Sequence, residues 1–467
     1  MLRFLTSIGI ALSDSRHSFA RWLNAHAATL KQHSIFMAIS LVVGTYSQYV
    51  LLHQGLTPGI FPDSRDYLNA TQGIFASQHL VDPYRTPGYP VFLAVIFAFM
   101  GSIRVNAVVV VQTLFMVLAL MEIYQLTYWL SRKIWAAMGT TIAVGVNLYI
   151  LDWERSLLSE TLSLWVLVTL MICFERYLAT RRNIALEGII LCSLAIIFVR
   201  PFFVMLPILL LAVLLVWALV QQRLRQTWRS LLLATVIIYS TVLGYMSINA
   251  LQNDYFGISY VSTVNLFGKI LEYNMQNYSS DPAYGQLRQD ANASVRQHRN
   301  EPWIFALQDY GYRDYSANHF AILGSFSTDI VVHHPLAYLR KTWPDIVATW
   351  EAPATFYTAY TPTEFGATLL VDVSQAELHW FYAAFPLLLL GTSIAVWPLR
   401  KHATAVFLFF SAWLIAFTIF ITAALGFDEF YRHRSPVDWL MIMLVFVVIS
   451  RGIDGVLAQI SRMRVRL

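Results

Sequence analysis

The chain has 467 residues, of which 57% are hydrophobic and 13% are charged. Soluble globular domains are about 45–50% apolar and about 25% charged, so this composition excludes a soluble enzyme or binding module. The 32 Lys and Arg residues exceed the 27 Asp and Glu residues, which gives a formal net charge of +5. In a membrane protein an excess of Lys and Arg first indicates which loops are cytoplasmic. The positive net charge therefore does not point to a nucleic acid, and we expect no nucleic-acid partner.

Apolar runs long enough to cross a hydrocarbon core of about 30 Å, which takes roughly 17–25 helical residues, recur along the chain. Their number predicts an all-α polytopic membrane protein with about ten transmembrane helices, short helices along the outer surface and one large outer loop region. We place the spans at 34–52, 105–130, 135–151, 158–177, 184–200, 202–220, 230–250, 379–397, 403–425 and 436–450.

One further apolar run, Val91–Gly101, is too short to cross. At about 1.5 Å of rise per residue it reaches only about 17 Å, and Pro87, Gly88 and Pro90 block its extension backwards. Treating it as interfacial places both termini in the cytoplasm and fixes the side of every later loop. The cytoplasmic ends after residue 130 then carry fourteen Lys and Arg residues and the short outer loops carry four, which is the bias expected of short loops.

This topology divides the chain into five segments. We predict a cytoplasmic amphipathic lead-in, an N-terminal transmembrane module containing the first outer loop (53–104), an outer loop domain of short helices, a C-terminal transmembrane module and a basic cytoplasmic tail. Their ranges are 1–33, 34–250, 251–378, 379–450 and 451–467. We expect the membrane to be a bacterial inner membrane, with the outer side facing the periplasm.

Four outer segments carry acids and bases together at the lipid boundary. They lie at 61–67, 152–160, 200–201 and 428–434. Polar groups are costly at this depth, so these segments are candidates for function. All four fall on one side of the membrane only in the topology above, and this convergence is the strongest functional clue in the sequence.

Asp63 follows a proline and precedes an apolar-periodic stretch. A helix N-cap or first-turn acid explains it as well as a carboxylate that takes a proton from an acceptor hydroxyl at the membrane surface. Asp66 and Tyr67 would share its helix face. Partly desolvated beside lipid, such a carboxylate becomes a stronger base.

The other outer segments offer a second acid and several cations. Glu160 opens an apolar run, and a surface ion pair of Glu154 with Arg155 or Arg200 would contribute roughly 0–1 kcal/mol. Guanidinium groups at this depth either anchor the chain at the interface or bind a phosphate through parallel hydrogen bonds. The candidates are Arg200, Arg432 and Arg434, with His433 as a further hydrogen-bonding group.

In their order along the chain, these residues resemble the GT-C superfamily of integral membrane glycosyltransferases, in the branch of protein O-mannosyltransferases and lipid A aminoarabinose transferases. The resemblance implies a GT-C-like fold, a polyprenyl-phosphate sugar donor and an inverting transfer to a hydroxyl of a lipid, glycan or protein acceptor. It rests on Asp63-Ser64 with Tyr67, Arg85-Thr86-Pro87-Gly88-Tyr89-Pro90 with Phe92-Leu93, Ser159-Glu160, Arg200-Pro201, His334-Pro335 with Tyr338-Leu339, and Tyr431-Arg432 before Pro436.

By the same resemblance, the essential acid of the first outer loop maps to Asp63, and the acid of the second maps to Glu160 or Glu154. Some relatives hold a divalent ion between two such acids. If Mg²⁺ or Mn²⁺ takes part here, these three carboxylates are its candidate ligands. The candidate substrate-binding residues are Asp66, Tyr67, Arg85, Tyr89, Arg200, Arg432, His433 and Arg434.

The implied reaction needs a base more than an acid. A phosphate leaves as an anion whose developing charge guanidinium groups stabilise, whereas the incoming hydroxyl must lose a proton. We therefore assign the base to Asp63 and the phosphate to Arg200 and Arg432, with Arg85 shaping the loop or positioning the substrate.

Other classes of protein remain open. An O-antigen ligase or polymerase would share the many spans and the large outer loop, but we expect its chemistry to rest on Arg and His within that loop. A transporter or flippase would carry mid-membrane charges and paired interrupted helices, and the spans offer only Glu122 and Glu187. A non-catalytic assembly protein explains the topology but not the gathering of acids and arginines on one side.

Overall fold

The computed structural model describes residues 34–46, 57–76, 81–100, 104–297, 317–351, 365–426 and 430–464. Within these ranges nearly all secondary structure is helical, apart from one bridge between Gly59 and Ser156. The predicted all-α fold is confirmed. The lead-in 1–33, the end of the first predicted span at 47–52, and the acids Asp428 and Glu429 lie outside the described residues.

The α-helices follow one another with short connections. In chain order they are α1 (Ser34–Tyr46), α2 (Pro62–Phe75), α3 (Gly88–Met100), α4 (Val105–Ser131), α5 (Ile134–Val146), α6 (Leu148–Leu151), α7 (Glu160–Thr180), α8 (Asn183–Val199), α9 (Leu206–Val220), α10 (Leu224–Asn253), α11 (Tyr260–Glu272), α12 (Gly285–Gln297), α13 (Ala317–His333), α14 (Pro335–Glu351), α15 (Phe365–Leu399), α16 (Ala403–Leu425) and α17 (Phe430–Arg464). Short 3-10 turns occur at Asp152–Arg155, Pro201–Met205 and Pro282–Tyr284.

Seven helical segments within the described residues are long and apolar enough to cross a membrane, so the chain is an integral membrane protein. They coincide with the spans predicted in α4, α7, α9, α10, α15, α16 and α17. An eighth predicted span is a pair, α5 with the segment Leu148–Arg155, bent by 63°. The bend occurs because Asn147, between the two helices, has an extended backbone. The remaining two predicted spans coincide with shorter apolar helices, α1 and the 17-residue α8.

The short apolar run in the first outer loop forms α3, a helix of 13 residues. At about 1.5 Å of rise per residue its length is about 20 Å, well short of the roughly 30 Å that a span needs. This length agrees with the prediction of a short helix that does not span. The helix begins at Gly88, so Gly88 and Pro90 belong to its first turn and do not block its extension backwards, contrary to the prediction. Helix α3 packs on α2, α4 and α8, which holds the first outer loop against the bundle.

Helix α17 is the centre of the bundle. It contacts α4, α5, α6 and α7 as well as α14, α15 and α16. Every side chain from Arg434 to Leu444 is buried, as expected of a helix surrounded on all sides. Because α17 begins at Phe430, its first turns carry Arg432, His433 and Arg434 into the middle of one end of the bundle.

The other end of the bundle joins segments that were predicted to be cytoplasmic. The Arg451 side chain donates to the carbonyl of Leu130, and Lys133 Nζ lies 2.7 Å from Asp454 Oδ1. The turn after α9 is joined to the turn after α15, where Gln221 donates to the carbonyl of Lys401. If α3 does not span, the turns after α4, α9 and α15 and the end of α17 all lie on the cytoplasmic side. The contacts above, which join these segments in pairs, agree with that topology. We call the opposite end, which carries Asp63, the outer end.

The outer helices α11 to α14 form a second, smaller hydrophobic core. Tyr260, Phe267, Phe320 and Phe326 lie at its centre with almost no exposed surface. This core rests on the outer end of α16, where Tyr338 donates a hydrogen bond from its hydroxyl to the carbonyl of Ala424. Helix α15 begins at Phe365, before the start predicted for its span at 379, so the helix extends into the predicted outer loop region.

The topology predicts which exposed positions a membrane-impermeant maleimide reaches in intact cells. Gln289→Cys on α12 should be labelled without permeabilisation, whereas Arg225→Cys and Lys401→Cys should be labelled only after it, because they lie at the opposite end of the bundle. The parent chain gives the background, since Cys173 and Cys192 are half-buried in α7 and α8. Labelling of Arg225→Cys in intact cells would contradict the assigned orientation.

Candidate active site at the outer end

Charged side chains from four separate segments meet at the outer end. Asp63 comes from α2, Glu160 is the first residue of α7, Arg200 follows α8, and Arg432 belongs to α17. Asp66 and Arg85 of the first outer loop complete the group through ion pairs. We call these six residues the charged cluster. The predicted convergence of the four outer segments is thus seen in the structure.

Asp63 binds a guanidinium group with each of its oxygens. Its Oδ1 lies 2.5 Å from Arg85 Nη2, and its Oδ2 lies 2.8 Å from Arg432 Nη2. Of the two structural alternatives, the N-cap is not observed, because Phe61 occupies that position, whereas Asp63 does lie in the first turn of α2 as an acid near the helix N-terminus. The Asp63 side chain keeps 30% of its surface exposed and is therefore accessible from outside the bundle.

Ion pairs and burial shift the pKa values of the two first-loop acids in opposite directions. Burial raises the pKa of the Asp63 carboxyl, but the charges of Arg85 and Arg432 outweigh it and hold that pKa well below its usual range. The expectation that partial desolvation makes Asp63 a stronger base is therefore wrong for this state of the site. The pKa of Asp66 is raised, mainly by burial, which Arg85 only partly offsets.

Arg85 is held in place by the loop that precedes α3. The Asp82 carboxylate accepts hydrogen bonds from the backbone N–H groups of Tyr84 and Arg85, which shapes a tight turn. The Arg85 guanidinium also lies 4.7 Å from the ring centroid of Tyr67 and 4.5 Å from that of Tyr84, within the range of cation–π attraction. The predicted loop-shaping role of Arg85 agrees with these contacts.

Glu160 receives two guanidinium groups on one oxygen. Its Oε1 lies 2.5 Å from Arg432 Nε and 3.4 Å from Arg200 Nη2, while its buried Oε2 has no hydrogen-bond partner among the described residues. Arg200 Nη2 also donates to His433 Nδ1 at 2.9 Å, which fixes this ring nitrogen as an unprotonated acceptor. Arg200 Nη1 is buried and has no hydrogen-bond partner in the described part of the chain.

Hydrogen bonds to backbone groups join the first and second outer loops. Gly59 N–H donates to the carbonyl of Arg155 at 2.8 Å, and Leu157 N–H donates to the carbonyl of Gly59 at 3.1 Å. Gln112, fully buried in α4, donates through Nε2 to the carbonyls of Glu154 and Ser156. These bonds fix the second loop immediately before Glu160.

Gln112 was not singled out from the sequence. Its Oε1 accepts a hydrogen bond from the Tyr89 hydroxyl, so a single amide connects α3, α4 and the second outer loop. A glutamine within an otherwise apolar span was the available signal, because a buried amide must find partners. Tyr89 is fully buried, so the structure gives no support to the prediction that it contacts a substrate. It supports Tyr67, whose ring it meets edge-on at 4.8 Å between centroids.

Gly88 allows the first loop to approach Arg200. A Cβ atom at this position would lie 2.5 Å from the backbone of Phe198, a distance that real Cβ atoms do not show. The absence of a side chain at Gly88 therefore lets the start of α3 pack against the end of α8. This close approach sets the position of Arg85 relative to Arg200.

Arg434 lies apart from the charged cluster. Its Nε donates to Asp438 at 3.0 Å, and its Nη1 donates to the backbone carbonyls of Thr349 and Trp350. Only 1% of its side chain is exposed, and its guanidinium faces the ring of Tyr382 at 4.1 Å. Arg434 joins α14, α15 and α17, and the prediction that it binds a substrate is not supported.

Glu154 does not join the other two acids. It is completely buried, and neither carboxyl oxygen has a hydrogen-bond partner among the described residues. The expected position of Glu154 at the surface is therefore wrong. A divalent ion on Asp63, Glu154 and Glu160 does not fit this geometry, because guanidinium groups occupy the first and third acids. Of the two second-loop acids, the structure favours Glu160.

Comparison with solved structures shows a likeness of fold. The chain is similar to the crystal structure of ArnT from Cupriavidus metallidurans bound to undecaprenyl phosphate, with 15% sequence identity and a TM-score of 0.33, over 85% of this chain and 78% of that chain. The likeness is one of fold alone. No model of a protein family matches the chain, and neither does a curated protein sequence.

Removing the Gln112 amide should loosen the site without touching its charges. Gln112→Leu leaves two buried carbonyls and a buried hydroxyl without their partner, so we expect stability to fall by at least about 2 kcal/mol. Thermal unfolding of the purified protein in detergent measures this loss. The matched control is Gln221→Leu, which removes a single exposed hydrogen bond at the opposite end. Equal melting temperatures for the two variants would show that Gln112 does not hold the loops together.

Proposed function

We propose that the chain is a membrane glycosyltransferase of the GT-C type, which moves a sugar from a polyprenyl phosphate to a hydroxyl group at the outer face of the membrane. The observation that carries the proposal is the charged cluster, in which a carboxylate accessible from outside the bundle sits beside three arginines at the lipid boundary. The family resemblance of the sequence supports the same conclusion. The outer face would be periplasmic if the membrane is a bacterial inner membrane.

The site has free donors for a phosphate. Arg200 Nη1 is buried and lacks a hydrogen-bond partner among the described residues, and Arg200 Nη2 points to His433 and Glu160. A phosphate bound to Arg200 and the neighbouring Arg432 would take the place of the carboxylate oxygens that these arginines now contact. Its oxygens accept the same parallel hydrogen bonds from a guanidinium group. The long polyprenyl chain would lie in the surrounding lipid, which the apolar outer surfaces of the spans adjoin.

Binding of the donor would also release the base. In the present arrangement both oxygens of Asp63 are held by guanidinium groups. A phosphate that draws Arg432 away leaves Oδ2 free to accept a proton and removes one of the charges that lower the pKa of the carboxyl. Asp63 is therefore a weak base before the donor binds and a stronger one afterwards.

The reaction balances with these groups alone. The acceptor oxygen forms a bond to the anomeric carbon as the bond from that carbon to the phosphate oxygen breaks, with inversion. The acceptor proton passes to Asp63, and the polyprenyl phosphate leaves with an additional negative charge. Arg200 and Arg432 stabilise that charge, which replaces protonation of the leaving group by a general acid.

The proposal is tested with purified protein in lipid nanodiscs and a panel of polyprenyl phosphates that each carry a different radiolabelled sugar. We expect the wild-type chain to release free polyprenyl phosphate from at least one donor when membrane extract supplies the acceptor. Asp63→Asn should lower this rate at least about 100-fold, the usual contribution of a general base, with unchanged expression and insertion.

The matched control is Asp254→Asn. Asp254 is exposed at the outer end of α10, and its left-handed backbone suits asparagine as well as aspartate. This variant should transfer at the wild-type rate. Unchanged transfer in Asp63→Asn would remove Asp63 as the base, and no release from any donor would contradict the proposed reaction.

A further inference from the structure

The guanidinium of Arg432 lies between two acids that the sequence resemblance offers to a divalent ion. Its Nη2 is 2.8 Å from Asp63 Oδ2, and its Nε is 2.5 Å from Glu160 Oε1. These two nitrogens form one edge of the guanidinium, which commonly holds both oxygens of a single carboxylate. Here the edge is shared by two carboxylates from different loops, so one fixed cation joins them.

Among the residues that the structure describes, the charges of the cluster balance. Three guanidinium groups and three carboxylates make up its six residues. A Mg²⁺ ion requires carboxylate oxygens at about 2.1 Å, so it would have to displace Arg432 from Asp63 and Glu160. It would also bring two further positive charges close to Arg85 and Arg200, which is unfavourable in a partly buried site.

The remaining acids do not supply an alternative metal site. Glu154 is buried away from the cluster's ion pairs, and Asp66 is held by Arg85. Within the ranges that the structure describes, no group of three His, Cys, Asp or Glu side chains is placed to hold a metal ion. The nearby His433 already accepts a hydrogen bond from Arg200.

We propose that Arg432 is the resident cation of this site, and that the site therefore binds no catalytic divalent metal. The guanidinium links the first and second outer loops and presents a permanent positive charge to the donor phosphate. Because the charge is part of α17, it does not dissociate. The statement about catalysis rests on the proposed function, whereas the statement about metal binding does not.

The first test measures metal binding and metal dependence on the full-length chain in nanodiscs, after treatment with EDTA. We expect Mn²⁺ to remain free in the presence of wild-type protein, as read from its EPR signal. We also expect transfer to change by less than about twofold when EDTA is present, because no metal polarises the phosphate. Mn²⁺ binding that Asp63→Asn abolishes would overturn the inference, and so would a loss of transfer that Mg²⁺ or Mn²⁺ restores.

The two proposals fail in different ways. If no donor supports transfer, the proposed function is wrong, and the Mn²⁺ titration still decides whether the site holds a metal. If transfer occurs but requires a divalent ion, the function stands and the role assigned to Arg432 is wrong.

The second test measures the coupling between Arg432 and Glu160. Arg432→Gln should lower the melting temperature by at least about 5 °C, because it leaves two acids without their shared counter-ion. The double variant with Glu160→Gln should recover at least half of this loss, since one of those acids is then neutral. Arg65→Gln, an exposed arginine on α2, is the control and should melt like the wild type. Additive effects of the two substitutions would show that Arg432 is not the counter-ion of Glu160.

Discussion

Charged groups at the boundary of a lipid bilayer must be neutralised by one another, and this constraint organises the outer end of the molecule. Asp63, Glu160, Arg200 and Arg432 belong to segments that are far apart in the sequence, yet each finds its opposite charge in another segment. Removing one member leaves a partner unpaired in a poorly solvated place, which costs more than an exposed pair contributes. The position of α17 in the middle of the bundle makes the arrangement feasible, because Arg432 is delivered to the point where the outer loops meet.

The same neutralisation gives the site its chemical character. A carboxylate held by two guanidinium groups is ionised but weakly basic, and it becomes a stronger base when an anionic ligand takes one of those groups. In the proposed reaction, binding of a phosphate is therefore linked to activation of a hydroxyl. Supporting contacts keep the distances short without adding charge. Gln112 fixes the second loop, Asp82 shapes the turn at Arg85, and Gly88 allows α3 to approach the end of α8.

Much of the fold followed from the sequence, because the bilayer imposes a length and a composition on each span. The non-spanning α3 was predictable from its length and its prolines, and the convergence of Asp63, Glu160 and Arg432 then followed from the alternation of loops. The pairings within the site were not predictable. Arg434 stands two residues after Arg432 in the same helix, yet it faces Asp438 and the carbonyls of α14, since side chains two apart on a helix point in different directions. The burial of Glu154 and the three contacts of Gln112 depend on packing between helices, which periodicity does not encode.

The central claim is that the arginines of the charged cluster receive the donor phosphate and thereby release Asp63. A cryo-EM structure of the protein in nanodiscs with undecaprenyl phosphate tests it most directly. The account predicts phosphate density in contact with Arg200 and Arg432, with Asp63 Oδ2 separated from Arg432. Phosphate density elsewhere on the protein, with Arg432 still bound to both Asp63 and Glu160, would contradict it.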